Sequence, residues 1–181
     1  MKAQKTSPAL SLTGLPPIVA TSPRLLILGS MPSARSLSAG EYYAHPQNAF
    51  WAIMRQLLNL PPSADYAAQK TAVMRAGVVL WDVLATCQRR GSLDSAIVRE
   101  SENANDIAAL LVREPSIVAL ALNGGKARQC FKRHVDLSVL LPRPLEILFL
   151  PSTSAANARM SFEKKLAAWQ QILPFLQNPI L

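Results

Sequence analysis

Five short polar stretches of this chain carry the groups that can do chemistry. They are Gly29-Ser30-Met31-Pro32-Ser33, His45-Pro46-Gln47-Asn48, Trp81-Asp82, Asn123-Gly124-Gly125-Lys126 and Pro151-Ser152-Thr153-Ser154. Between them they offer hydroxyls, one carboxylate, carboxamides, an imidazole and little bulk. His45 can move a proton near neutral pH. A carboxamide such as Asn48 or Asn123 offers a donor and an acceptor together, which suits orienting a water or matching a purine edge. Small hydroxyl residues and their backbone N–H groups can donate to phosphates. Brought to one rim, such a set suits close approach of a phosphodiester backbone and the reading of a base edge.

Four of these stretches follow apolar runs: Leu25–Leu28, Val78–Trp81, Ile117–Leu122 and Leu145–Leu150. Each run is too short for a helix and is bounded by turn residues. Runs of this kind suit strands buried on both faces. Helical patterns lie between them. Residues 49–59 place Phe50, Ile53, Met54, Leu57 and Leu58 on one helical face, with Asn48 at the N-cap and Pro61-Pro62 as the stop. Asp65 opens a second helix over 65–76. Asn105-Asp106 caps a third over 107–114, Gly124-Gly125 opens a fourth, and Ser161 opens a fifth over 162–173. Strands alternating with helices predict one three-layer αβα domain, of α/β class, with a central, mostly parallel four-stranded sheet. The sites then fall beyond the carboxyl ends of the strands. Residues 1–23 read as a Pro/Ser/Thr-containing lead-in and 24–181 as the domain. Residues 83–102 read as a long polar loop, a type that is functional or mobile.

Composition narrows the partners. The chain has 181 residues, enough for a substantial core, and a formal net charge of +8. That excess favours a polyanion such as nucleic acid. No apolar run reaches the ~18 residues needed to span a membrane. The N-terminus lacks the apolar core of a signal peptide. Cys87 and Cys130 are the only cysteines, which predicts two reduced thiols in a cytoplasmic protein rather than a disulfide framework or a zinc site.

The string YYAHPQNAFW at 42–51, following GSMPS, resembles the DNA-deoxyinosine (hypoxanthine) glycosylase group of the uracil-DNA glycosylase superfamily. LWDVL at 80–84, GSLDSAI at 91–97, LNGGKA at 122–127 and LPSTSAAN at 150–157 fit the same group. The resemblance runs in order from about residue 24 to about residue 160. It implies an αβα glycosylase fold, flipping and excision of a deaminated base from DNA, and no metal or organic cofactor. The implied partner is DNA containing deaminated bases, met in the cytoplasm at the nucleoid. A monomer is the default expectation.

Better-known branches of that superfamily carry Asp or Asn two residues after the first motif's Gly, as the water activator. Here that position is Met31, which cannot activate water. The role passes to Asn48, the nearest suitable group, with His45 as a second candidate. Position alone favours reading Asn48 as a helix cap, and the resemblance reverses that preference; His45 reads equally as a loop-shaping or phosphate-contacting residue. Ser30, Met31, Tyr43, Asp82 and Asn123 are the candidate base contacts. Tyr43 could stack on a flipped base or pack as core; Asp82 could read a purine as acceptor or protonated donor, or cap the next segment; Asn123 could be a turn residue. Ser33, Ser152, Thr153, Ser154, Arg159 and Lys126 are candidate DNA-backbone contacts. Relatives often carry His or Asn just before the second motif's Pro-Ser and a bulky wedge after it; here those positions are Leu150 and Ser154.

Three other classes compete. A non-catalytic DNA- or nucleotide-binding module would use the same fold. An ester hydrolase would use Ser30 or Ser152 with His45 and Asp82, though no GxSxG elbow is present. A glycosylase–lyase would need an amine such as Lys126.

Overall fold

The computed structural model describes residues 10–140 and 143–177. The first nine residues of the lead-in and the last four of the chain lie outside the described residues. The four apolar runs form β2 (Leu25–Gly29), β3 (Val78–Asp82), β6 (Ala119–Asn123) and β7 (Glu146–Leu150). They make one parallel sheet in the order β3-β2-β6-β7. Leu25 lies opposite Val78 on one side and Ala119 on the other.

The alternation of side chains along these strands divides the interior in two. Leu25 and Ile27 face α2 (Phe50–Leu57), α3 (Tyr66–Arg75) and α6 (Phe162–Trp169), meeting Phe50, Ile53, Met54, Val73 and Trp169. Leu26 and Leu28 face α4 (Ile107–Arg113) and α5 (Gly125–His134), meeting Ile107, Leu110, Leu111, Cys130 and Phe131. All four leucine and isoleucine side chains of β2 are 0 % exposed. Full burial of each contributes roughly 1.5–3 kcal/mol. Helices on both faces of a parallel sheet give the three-layer αβα domain.

The predicted helix starts fall where short polar residues satisfy the first-turn N–H groups. Asp65 accepts from Ala68 N–H at 2.8 Å, Asp106 from Ala109 N–H at 2.9 Å, and Ser161 from Lys164 N–H at 3.4 Å. The last helix differs from expectation beyond Trp169, where Gln170–Phe175 tighten into a 3₁₀ turn that contains Pro174. One helix was not anticipated. α1 (Ala34–Ala39) lies inside the first polar loop, capped by Ser33, which accepts from Ser36 N–H at 3.1 Å.

The segment 83–102 is not the long loop expected. It holds β4 (Leu84–Arg89) and most of β5 (Ile97–Ala104), joined by a 3₁₀ turn at Asp94–Ala96. With β1 (Leu10–Thr13) they make a three-stranded antiparallel sheet in the order β1-β4-β5. The sheet buries only one face: Leu84, Cys87 and Ile97 join the core while Gln88 and Arg99 stay exposed. Ile18 also bridges to Leu80. Among the described residues, no helix is long and apolar enough to cross a membrane. Cys87 and Cys130 are buried free thiols.

Candidate active site

Because β2, β3, β6 and β7 run parallel, their carboxyl ends share one rim. A cavity of about 380 Å³ opens there. The end of β2 supplies Ser30, Met31 and Ser33, the loop before α2 supplies Tyr43 and Asn48, and β3 supplies Asp82. The β6–α5 junction supplies Asn123 and Lys126, and the segment after β7 supplies Ser152, Thr153 and Ser154. The structure therefore brings eleven of the thirteen sequence-predicted residues to one cavity. His45 and Arg159 are the two it leaves out. His45 is exposed and accepts from Gln47 N–H through Nδ1 at 3.2 Å; it lines an adjoining cleft shared with Tyr43 and Asn48. Arg159 is exposed, away from the cavity.

Asn48 is not the N-cap. α2 begins at Phe50 with Ala49 at the cap, and Ala49 N–H is tied to Thr153 O at 2.9 Å. The Asn48 side chain nevertheless serves the helix start, because Oδ1 accepts from Phe50 N–H at 3.0 Å. That bond fixes the carboxamide on the cavity wall. It leaves one lone pair of Oδ1 for a water.

Tyr43 holds a left-handed backbone (φ 56°) and stacks on Phe50 with ring centroids 3.9 Å apart. One ring face is thus taken by the core. Its hydroxyl is buried, with no hydrogen bond at ordinary geometry among the described residues. Burial, and then the Asp82 charge, push that hydroxyl well above the ordinary tyrosine range. It is a neutral phenol at any working pH.

Asp82 sits at the floor, 3 % exposed, and its Oδ2 is buried without a partner among the described residues. Burial first, and then the nearby Asp94, raise its carboxyl to about 8, against the pull of Arg89. The group is therefore largely protonated at neutral pH and can donate. Gly29 makes room for it: a Cβ at that position would lie 2.3 Å from Asp82 Oδ1.

Asn123 and Thr153 close the opposite wall by two hydrogen bonds to each other, and both are buried. The strand end and the second-motif loop also touch at Gly124 (φ 97°), where a Cβ would lie 2.7 Å from Ser152 Cβ. Ser152 Oγ accepts from Ser154 N–H at 3.2 Å, and Ser154 Oγ from Ala156 N–H at 3.2 Å. These hydroxyls are acceptors inside the turn, with their protons turned elsewhere. Ser33 likewise caps α1. Lys126 Nζ is bound to Glu102 Oε1 at 2.7 Å at the cavity edge.

Four participants escaped the sequence reading. Asp94 accepts from Ser30 Oγ at 2.7 Å across 64 positions. Arg89, 1 % exposed, donates to Pro32 O at 2.6 Å and Gly91 O at 3.0 Å. Glu102 gathers Lys126, Arg133 and His134. Lys165, also buried, donates to Ser154 O at 3.3 Å and braces the second-motif loop. The GSLDSAI string was the available signal for Asp94. The rest depend on partners distant in sequence.

The ester-hydrolase arrangement is absent, since Ser30 Oγ donates to Asp94 and His45 stands outside the cavity. Among the described residues, no group of three or more His, Cys, Asp or Glu side chains is arranged to hold a metal ion.

The sequence profile of the Uracil DNA glycosylase superfamily matches residues 16–176. A protein of Methanosarcina acetivorans named Hypoxanthine DNA glycosylase is 31 % identical over 161 residues, covering 88 % of this chain and 96 % of its own. Its namesake from Methanosarcina barkeri is 29 % identical over 159 residues, covering 87 % and 95 %. A solution NMR structure of a candidate uracil DNA glycosylase from Methanosarcina acetivorans superposes with a TM-score of 0.74 at 28 % identity, covering 91 % of this chain and 97 % of that one. The chain belongs to the uracil DNA glycosylase superfamily and is accordingly a DNA glycosylase, a hydrolase of N-glycosidic bonds.

Proposed function

We propose that this enzyme is a monofunctional glycosylase that flips hypoxanthine out of DNA and excises it with a water molecule, starting base-excision repair. The observation that carries this reading is the cavity itself. It holds a fixed carboxamide, Asn48, on one wall and a protonated, unpartnered carboxyl, Asp82, on its floor. A base inside a duplex is out of reach, so the target must be extruded.

The reaction breaks the C1′–N9 bond and forms a C1′–O bond to water. Positive charge grows on the sugar and negative charge on the departing purine. Asn48 Oδ1 accepts from the attacking water and aims it at C1′, a positioning effect. Asp82 Oδ2–H donates to the purine where the leaving electron pair spreads, which stabilises the anion. Asn123, Tyr43 and Ser30 frame the ring's edges, with Met31 packed beside them. The water's proton passes to solvent or to the released base. Ser33, the Ser152–Ser154 turn and Lys126 hold the DNA backbone; the N–H groups of Thr153 and Ser154 are already bonded, so the Ser152 and Ser154 hydroxyl protons and the Lys126 charge are the donors. Arg159 and His45, both exposed, would touch DNA only outside the cavity. Lys126 is paired with Glu102 rather than free to attack C1′, which supports hydrolysis over a lyase step. We place the protein, as a monomer, with its DNA in the cytoplasm.

The test is a labelled duplex carrying one deoxyinosine or one deoxyuridine, treated with alkali after incubation. The expected result is alkali-dependent cleavage of the deoxyinosine strand, with weaker cleavage at deoxyuridine. Asn48→Ala should lower the single-turnover rate about 100-fold. Cleavage before alkali would sink the monofunctional mechanism. Cleavage at deoxyuridine alone would sink the hypoxanthine preference.

A further inference from the structure

Two consecutive residues at the carboxyl end of β2 each hold one carboxyl group. Gly29 lies against Asp82, whose Oδ1 occupies the space a Cβ would need. Ser30 Oγ donates to Asp94 Oδ2 at 2.7 Å. Asp94 reaches this place from the turn between β4 and β5, so a different layer of the protein delivers it. Both carboxyls line the same cavity. Among the described residues neither forms a salt bridge.

The two are not equivalent. Burial raises the Asp94 carboxyl, while the Ser30 hydroxyl, and then Arg89 and Lys126, pull it back toward its charged form. Asp82 is buried and its Oδ2 has no donor, which favours its neutral form. Two carboxyls held by consecutive residues at the rim of one cavity disfavour each other's ionisation, and environments that differ push the two protons apart. The other groups facing the pair are Arg89 from β4, Tyr42 and Tyr43 from the loop before α2, and Lys126 from α5. Arg89 spends donors on Pro32 O and Gly91 O, and its Nη1 has no partner among the described residues. The tyrosines are neutral phenols. Lys126 acts on Asp94 and is itself paired with Glu102.

We propose that Asp94 is a positioning residue for base recognition: its carboxylate, anchored by Ser30 at the rim of the same cavity, adds to burial in holding the proton on Asp82, so that Asp82 donates to the departing base. This rests on the role given to Asp82 above. Asp94 touches no reacting atom in this scheme. It sets the proton inventory of the group that does.

The test uses the full-length protein with two readouts. The first is the pH profile of single-turnover excision from deoxyinosine DNA, each variant normalised to its own acid-side rate. The second is the titration of the Asp82 carboxyl carbon, followed by carbon-13 NMR without DNA. In the wild type both should turn over near the same alkaline pH, at about 8. In Asp94→Asn both should move to lower pH by about half a unit or more, because a like charge has been removed. Asp94→Ser, which also removes the charge, should move them the same way and covers the case of one variant misfolding. An Asp82 titration that stays in place in a folded neutral variant overturns the proposal. So does a uniform loss of rate with no displaced limb, which is what a merely structural Asp94 would give. If the wild type excises nothing, the glycosylase reading of the site fails, and the NMR titration still judges the coupling of Asp94 to Asp82.

Discussion

Asn123 and Thr153 grip each other twice. Asn123 Nδ2 donates to Thr153 Oγ1 at 3.0 Å, and Thr153 N–H donates to Asn123 Oδ1 at 3.0 Å. The pair fastens the end of β6 to the loop after β7, and Thr153 O then receives the Ala49 N–H ahead of α2. Three walls of the cavity are thus fixed through one residue. Asn123→Ala would leave a buried Thr153 N–H and hydroxyl unpaired, at a cost of about 2 kcal/mol. For a chain of this size that lowers the melting temperature by roughly 4–8 °C. Thermal unfolding followed by circular dichroism checks this. Thr153→Val retains the backbone bond and should cost about half as much.

Asp82 links function to stability. Its folded value of about 8 lies above the ordinary aspartate value of 3.8. Between those two pH values the native state holds a proton that the unfolded chain has lost. The resulting stabilisation is complete below about 3.8 and drains away as pH rises to about 8. Asp82→Asn removes that slope. Chemical denaturation at a series of pH values should show the variant gaining on the wild type as pH rises through this window. Its carboxamide is a donor at every pH, so excision by the variant should persist on the alkaline side where the wild type fades. A variant that fades at the same pH as the wild type would show that another group sets the limb.

The αβα frame was legible because β2, β3 and β6 are buried on both faces, and the edge strand β7 still keeps an apolar run. Leu25–Leu28 and Ile117–Leu122 read as unbroken apolar runs for that reason. β4 and β5 left no such trace. They bury one face only, and their pairing slips between Leu84 and Thr86 and again between Thr86 and Gln88, which breaks any alternation. Their partner β1 comes from a segment over 70 residues away. The same geometry hid part of the site. Asp94 looked like one polar residue in a polar loop, because its meaning comes from Ser30. Asn48 was found as a residue but placed one position too close to its helix. Asx-type bonding to Phe50 N–H carries the same residue preference as an N-cap, so the sequence signal is shared.

Glu102 provides a second pH dependence with the opposite sign. Its side chain is fully buried among Lys126, Arg133 and His134. Burial alone would raise its carboxyl, but the bonds to those three groups outweigh it and lower the group from 4.5 to about 2. The stability it contributes is present above about 4.5 and is lost as pH falls toward about 2. Glu102→Gln should flatten that acid limb. It should also cost about 2 kcal/mol at neutral pH by leaving the clustered Lys126 and Arg133 without their anion. Freed from Glu102, Lys126 would sweep a wider volume at the cavity edge. Because the change also removes a negative charge beside the DNA path, tighter and more salt-sensitive binding to DNA, with the single-turnover rate at saturating enzyme preserved, is the expected kinetic pattern.

Gly29→Ala tests whether the floor of the cavity is as tight as it looks. Any Cβ there would sit 2.3 Å from Asp82 Oδ1 and 3.4 Å from the Tyr43 hydroxyl. Asp82 cannot retreat freely, because the side chain is 3 % exposed and its own main-chain oxygen is held by Asn105 Nδ2 at 2.9 Å. The carboxyl must therefore swing into the cavity, where the base would lie. Over-packing of this kind costs about 1–3 kcal/mol. The damage to excision should exceed the damage to folding, because the displaced group is the one that reads the base. A rate loss of about 100-fold or more, in a protein that still unfolds cooperatively, is the expected outcome. Near-normal excision by a folded Gly29→Ala protein would mean that Asp82 does not have to hold this position for the base to leave.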